Sequence, residues 1–231
     1  MIEGAGVPLA ATTSGSGPDV VLVHDLASGA APLDPLREAL VADGHRVVVY
    51  DRRGYGGSGA PEAYRATTIH EQAEDAAAVL RALTDGPATV VGLGFGALIV
   101  LDVLVRHATL VRAAVLVDPP AFAFVPEANE ALAAERLALE EALRASGPGG
   151  AHAVFGGTAA EYPRAALADY AGRASWSPSR HELRAIAVPV AIVATPGAPA
   201  HVALATQRLA DHLPTARSAD GVRSAVRPLA G

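Results

Sequence analysis

The chain contains no cysteine, which rules out disulfides, thiolate nucleophiles and cysteine-held zinc or iron–sulfur centres. Lysine is missing as well, since all 18 basic residues are arginine. A lysine Schiff base is therefore excluded, as is a phosphate-binding loop that relies on its lysine. No uninterrupted apolar run approaches the roughly 18–20 residues needed to span a bilayer. The opening stretch MIEGAGVPLAATTSGSG has neither the basic start nor the apolar core of a secretory signal. The expectation is a cytoplasmic protein with no membrane partner. The formal net charge is −6, and the arginines are scattered rather than gathered in a stripe. Nucleic acid is not an expected partner, because counterion release needs clustered positive charge.

The 231 residues suffice for one large domain with a good core. Short β-branched runs recur at Val20–Val23, Arg46–Tyr50, Thr89–Val91, Ala113–Val117 and Val188–Ala194, and each reads as a strand. Helical stretches alternate with them at Pro35–Ala42, Glu71–Leu83, Ala97–Arg106 and Ala203–His212. Strand and helix in this rhythm predict a mostly parallel sheet flanked by helices. Continuous apolar strands fit a sheet covered on both faces. After Pro119-Pro120 the pattern becomes helical, with stretches near 127–145, 159–171 and 179–186. The predicted layout is a core over 1–120, a helical insertion over 121–182 and the rest of the core over 183–231. From Pro214 the apolar signal is weak, so the C-terminal end of the sheet is expected to be short.

Open parallel sheets place their sites at the carboxyl ends of the strands. Those ends read His24-Asp25-Leu26, Asp51-Arg52-Arg53-Gly54-Tyr55-Gly56-Gly57-Ser58, Gly92-Leu93-Gly94-Phe95-Gly96 and Asp118-Pro119-Pro120. Together VLVHDL, VVVYDRRGYGGS and VGLGFGALIVL resemble, in order and spacing, the α/β-hydrolase family over roughly 18–213. The insertion falls where that family carries its lid. The resemblance implies an α/β-hydrolase fold, with the nucleophile at position 94 on a sharp strand-to-helix turn. Here Gly94 fills that slot and offers no attacking atom. The family's histidine corresponds to Val222, and the loop 194–201, where the acid usually lies, has no carboxylate. The expectation is a triad-deficient member that does not run an ordinary serine-hydrolase reaction.

The resemblance also implies an oxyanion hole made from the backbone amides of Phe95 and Leu26. Asp25 stands where the family prefers glycine, and a carboxylate beside a dry pocket is a candidate acid or base. Capping a turn is the competing role. His24 and Asp118 are further catalytic candidates, each with a structural alternative: backbone bonding for His24, capping for Asp118. Asp51, Arg52 and Arg53 are expected to hold their loop together. Gly94, Phe95, Leu26, Tyr55, His201, Phe124 and Trp176 are candidates for contacting substrate. Aromatics are only 4% of the chain, yet Phe122, Phe124, Phe155, Tyr162, Tyr170 and Trp176 fall in the insertion, which suggests an apolar ligand chamber or ordinary lid packing. No metal-ligand spacing and no dinucleotide fingerprint is present, so neither metal nor cofactor is expected.

Three functions remain open. The first is a cofactor-independent enzyme acting on a small, largely apolar molecule by acid/base and oxyanion chemistry, as an isomerase, cyclase, lyase or atypical hydrolase. The second is an inactive homologue that binds a ligand or partner. The third is an esterase with a displaced nucleophile such as Ser28. A homodimer is compatible with the sequence.

Overall fold

The structure, a computed structural model, describes residues 1–227. A short antiparallel ribbon, β1 (Ile2–Glu3) with β2 (Pro8–Leu9), precedes the main sheet. That sheet is built from β3 (Ala11–Ser14), β4 (Asp19–Val23), β5 (Arg46–Tyr50), β6 (Ala88–Leu93), β7 (Val111–Val117), β8 (Val190–Val193) and β9 (Ala216–Ser218), in the order β3-β5-β4-β6-β7-β8-β9. Every pairing is parallel except that of the edge strand β3 with β5. The helices between the strands are α1 (Asp34–Ala42), α2 (Ile69–Leu83), α3 (Phe95–Arg106), α8 (Ala200–Ala210) and, at the end, α9 (Val222–Val226). The insertion between β7 and β8 carries α4 (Asn129–Ser146), α5 (Ala151–Phe155), α6 (Pro163–Ser175) and α7 (Arg180–Arg184).

The continuous apolar runs become intelligible once the two faces are separated. Side chains alternate across a strand. Val21, Val23, Val48 and Val90 enter one core with α2 and α3. Val20, Leu22, Val47 and Val91 enter the other with α1 and α9. Both sets are fully buried, at roughly 1.5–3 kcal/mol per side chain. Helix α3 is apolar nearly all round because it lies beneath α2 as well as on the sheet. Among the described residues no helix is long and apolar enough to cross a membrane.

The two ends differ from the sequence expectation. β1, β2 and β3 lie in a stretch assigned no strand, since Ala11-Thr12-Thr13-Ser14 is polar and pairs only through its backbone at the sheet edge. The weak C-terminal end does supply a strand and a helix, in reduced form: β9 has three residues, and α9 buries Ala225 and Val226.

Candidate active site

Gly94 forms the turn between β6 and α3, with φ +50° and ψ −116°, a conformation that L side chains rarely adopt. Two residues on, a Cβ at Gly96 would lie 2.3 Å from the carbonyl oxygen of Val23. Glycine at 96 therefore lets the start of α3 rest against the end of β4, and the residues that follow β4 meet the turn. As a result, Oδ1 of Asp25 accepts hydrogen bonds from the amides of Phe95 and Leu26, both at 2.6 Å. These are the two amides expected to form the oxyanion hole. A Cβ built on Gly94 would stand 2.1 Å from Oδ1 and 2.3 Å from Oδ2 of Asp25. The carboxylate thus occupies the space that a side chain at 94 would need.

The amides and the positive end of the α3 dipole favour the ionised carboxylate. Asp25 is exposed to solvent and lines the cavity above it. Desolvation dominates, so its pKa is raised above the ordinary carboxylate range, against the pull of the two amides and Arg52. Oδ1 is committed to the amides, and Oδ2 has no hydrogen-bond partner among the described residues.

Beneath Asp25 lies a buried polar network that fixes the loop. His24 Nδ1 bonds the carbonyl of Asp25 at 2.8 Å, and Nε2 accepts from the Arg52 amide at 3.0 Å. Both ring nitrogens are engaged by backbone. Burial and then the Arg52 charge hold the ring's pKa well below its usual value, so it is neutral. His24, a catalytic candidate from sequence, has no nitrogen to offer a substrate. Arg52 donates to the carbonyls of His24 and Asp25 and forks onto Asp169 of α6 at 3.1 and 2.7 Å. Gln72 and the Tyr55 hydroxyl, both at 2.8 Å, complete the shell of Asp169. Tyr55 therefore packs under the site rather than lining it. Arg53 pairs with Asp75, and Asp51 holds the amides of Ala30 and Gly57, so this loop has the structural role expected of it.

Above Gly94 and Asp25 opens a cavity of about 580 Å³. Leu26, Gly94, Asp118 and His201 line it, and Phe122 and Phe155 supply lid aromatics. Asp118 has φ +45° and accepts from the amide and hydroxyl of Thr195 at 2.9 and 2.5 Å. Its carboxylate clips the end of β7 to the loop after β8, so it belongs to the rim. The ring of His201 lies 5.5 Å from that of Phe122.

Three expected contacts fall elsewhere. The Phe95 side chain is buried under the Arg52 guanidinium, 4.8 Å from its carbon, and only the amide reaches the site. Phe124 packs on His212. Trp176 donates from Nε1 to Asp102 at 3.1 Å and lines other cavities. Ser28 opens into a separate cavity with Asp34, Asp51 and Tyr162, and no histidine lines it. Sequence reasoning did not single out Asp169, Gln72, Glu135 or Arg173. The usable signal for Asp169 was a lone carboxylate on an inward stripe of Ala165, Ala168 and Gly172.

The chain matches the alpha/beta hydrolase fold family over residues 18–157, more than half its length, and it belongs to that family. It is 32% identical over 123 residues to epoxide hydrolase A of Mycobacterium tuberculosis, covering 52% of this chain and 38% of that protein. It is 34% identical over 105 residues to a 2-(acetamidomethylene)succinate hydrolase of Mesorhizobium japonicum, covering 45% and 36%. The matched stretches thus span less than half the length of these curated relatives. An alpha/beta hydrolase from Sphaerobacter thermophilus superposes with a TM-score of 0.71 at 26% identity, over 97% of this chain and 96% of the other.

Proposed function

We propose that this protein is a cofactor-independent enzyme of the hydrolase fold that works without a serine nucleophile, with Asp25 as the group that meets a small, largely apolar substrate. One observation carries the reading: the Asp25 carboxylate sits where a side chain at 94 would stand, in a residue that lines the cavity, with Oδ1 anchored by two amides and Oδ2 without a hydrogen-bond partner among the described residues. Anchoring one oxygen fixes the direction of the other, which is what a positioned acid or base requires. A raised pKa improves proton transfer near neutral pH. In this reading Oδ2 takes a proton from substrate or from an attacking water and returns it to product. The reaction is an isomerisation, cyclisation, elimination or hydrolysis. One part of the sequence expectation is revised. The amides of Phe95 and Leu26 hold Asp25 itself, so they do not polarise a substrate oxygen while it is seated there.

A second reading uses the same anchor. Oδ2 attacks an electrophilic carbon, the leaving group departs with the bonding pair, and an ester forms at Asp25. Water then adds to the ester carbon while the two amides stabilise the charge that builds on Oδ1; the Cγ–Oδ2 bond breaks, the product leaves as an alcohol carrying Oδ2 and a proton from that water, and the water's oxygen stays in the restored carboxylate. Turnover of small esters, lactones, epoxides and carbon acids by wild type and Asp25→Asn tests the shared claim. Turnover that survives the substitution at full rate refutes it. Repeating the reaction in heavy-oxygen water separates the two readings: label in the Asp25 peptide means an ester intermediate, and its absence means proton transfer. No product from any substrate class would favour a ligand-binding homologue.

A further inference from the structure

The lid holds a second cavity, of about 520 Å³, that shares Pro120, Phe122 and Arg173 with the first. Its remaining wall is largely apolar and aromatic, including Leu132, Ala133, Tyr170 and Trp176. The charges sort unevenly between the two chambers. Asp25, Asp118 and Glu135 line the first, while no carboxylate lines the second, which has the guanidinium groups of Arg136 and Arg173.

Arg173 stands in the partition. Its guanidinium carbon lies 5.4 Å from the centre of the Phe122 ring and 4.9 Å from that of Tyr170, and its Nη2 pairs with Glu135. A guanidinium stacked on aromatic faces is pre-organised to fork onto a carboxylate. Among the described residues Arg136 is held by an exposed pair with Glu140, a contact that costs little to redirect.

We propose that the lid cavity binds the carboxylate end of an apolar substrate, with Arg173 as the group that recognises it. The neutral, reacting end is thereby directed past Phe122 to Asp25. The anion is repelled by Asp25 and Asp118 and attracted by the two arginines, so the substrate enters in one orientation. Glu135 occupies Arg173 in the free protein and competes with the incoming carboxylate. The orientation rests on the reading that Asp25 performs the chemistry; the anion site does not.

Trp176 is the only tryptophan of the chain and lines this cavity, so its fluorescence reports occupancy. The probes are 4-phenylbutyrate and its neutral amide, 4-phenylbutyramide. Wild type is expected to give a saturable change with the carboxylate and to bind the amide at least about tenfold more weakly, since hydrogen bonds to charged groups are the stronger ones. Arg173→Gln lowers carboxylate affinity about tenfold and leaves amide affinity unchanged. Glu135→Gln, which removes the competitor, raises carboxylate affinity, and it carries the test if Arg173→Gln does not fold. Ala133→Phe narrows the cavity and weakens binding of both probes. Both affinities are read from binding alone, with no product formed, so this result stands or falls apart from the turnover assay. Equal affinities for the two probes, binding that Ala133→Phe leaves unchanged, or no saturable change would overturn the proposal.

Discussion

Placing serine at position 94 tests the seat of Asp25 directly. The backbone of Gly94 lies in a region that costs a non-glycine residue about 1–3 kcal/mol. The new Cβ also falls 2.1 Å from Oδ1 of Asp25. That clash is relieved by swinging the short Asp25 side chain out of the hole, at the cost of both amide bonds. Each charge-assisted hydrogen bond is worth roughly 1.5–3 kcal/mol, but water in the cavity recovers part of this, leaving a net loss of about 2 kcal/mol for the pair. Gly94→Ser should therefore destabilise by about 3–5 kcal/mol in all. In an Asp25→Gly background only the backbone cost remains, so the double-mutant cycle should show a coupling of about 2 kcal/mol. Urea unfolding of the four proteins measures it, with independent sites adding to within about 0.5 kcal/mol. A Gly94→Ser penalty that is the same in both backgrounds would refute the mutual exclusion of the two side chains.

Three further outcomes follow from the same geometry. Because the folded-state pKa of Asp25 is raised, its contribution is fully present below the ordinary value of about 3.9 and is lost as pH rises through the folded value. Wild type should thus lose stability relative to Asp25→Asn as pH rises from about 4 in thermal melts; a gap moving the other way contradicts the raised pKa. His24 has the opposite sign. Its folded pKa is depressed, so its contribution is present above about 6.5 and lost as pH falls toward the folded value. His24→Gln should remove that slope from urea stabilities compared at pH 7 and pH 5. Asp169→Ala strips the partner from buried Arg52 and should cost about 3–5 kcal/mol in chemical denaturation, and a loss under about 1 kcal/mol would show that this pair does not tie the lid to the core.

The central strands were legible because a strand buried on both faces is apolar at every position, and Val20–Val23 and Arg46–Tyr50 are such strands. β3 was not, because an edge strand needs only its backbone to pair, and Ala11–Ser14 carries no apolar signal. The site divides on similar lines. The turn at Gly94 could be located from its flanking glycines, and the structural role of the Asp51-Arg52-Arg53 loop from its dense charge. The pairing of Asp169 with Arg52 could not, since the two are 117 positions apart and only the packing of α6 on the core brings them together. The seat of Asp25 was hidden for a different reason. Its residue type was visible as unusual, and so was glycine at 94, but as two separate oddities. The coordinates make them one. A Cβ at 94 and the carboxylate of residue 25 claim the same volume, and Oδ1 claims the two amides that a serine's substrate would use. Glycine at the turn is the space that admits the carboxylate. Any account of this site has to treat residues 25 and 94 as a single unit.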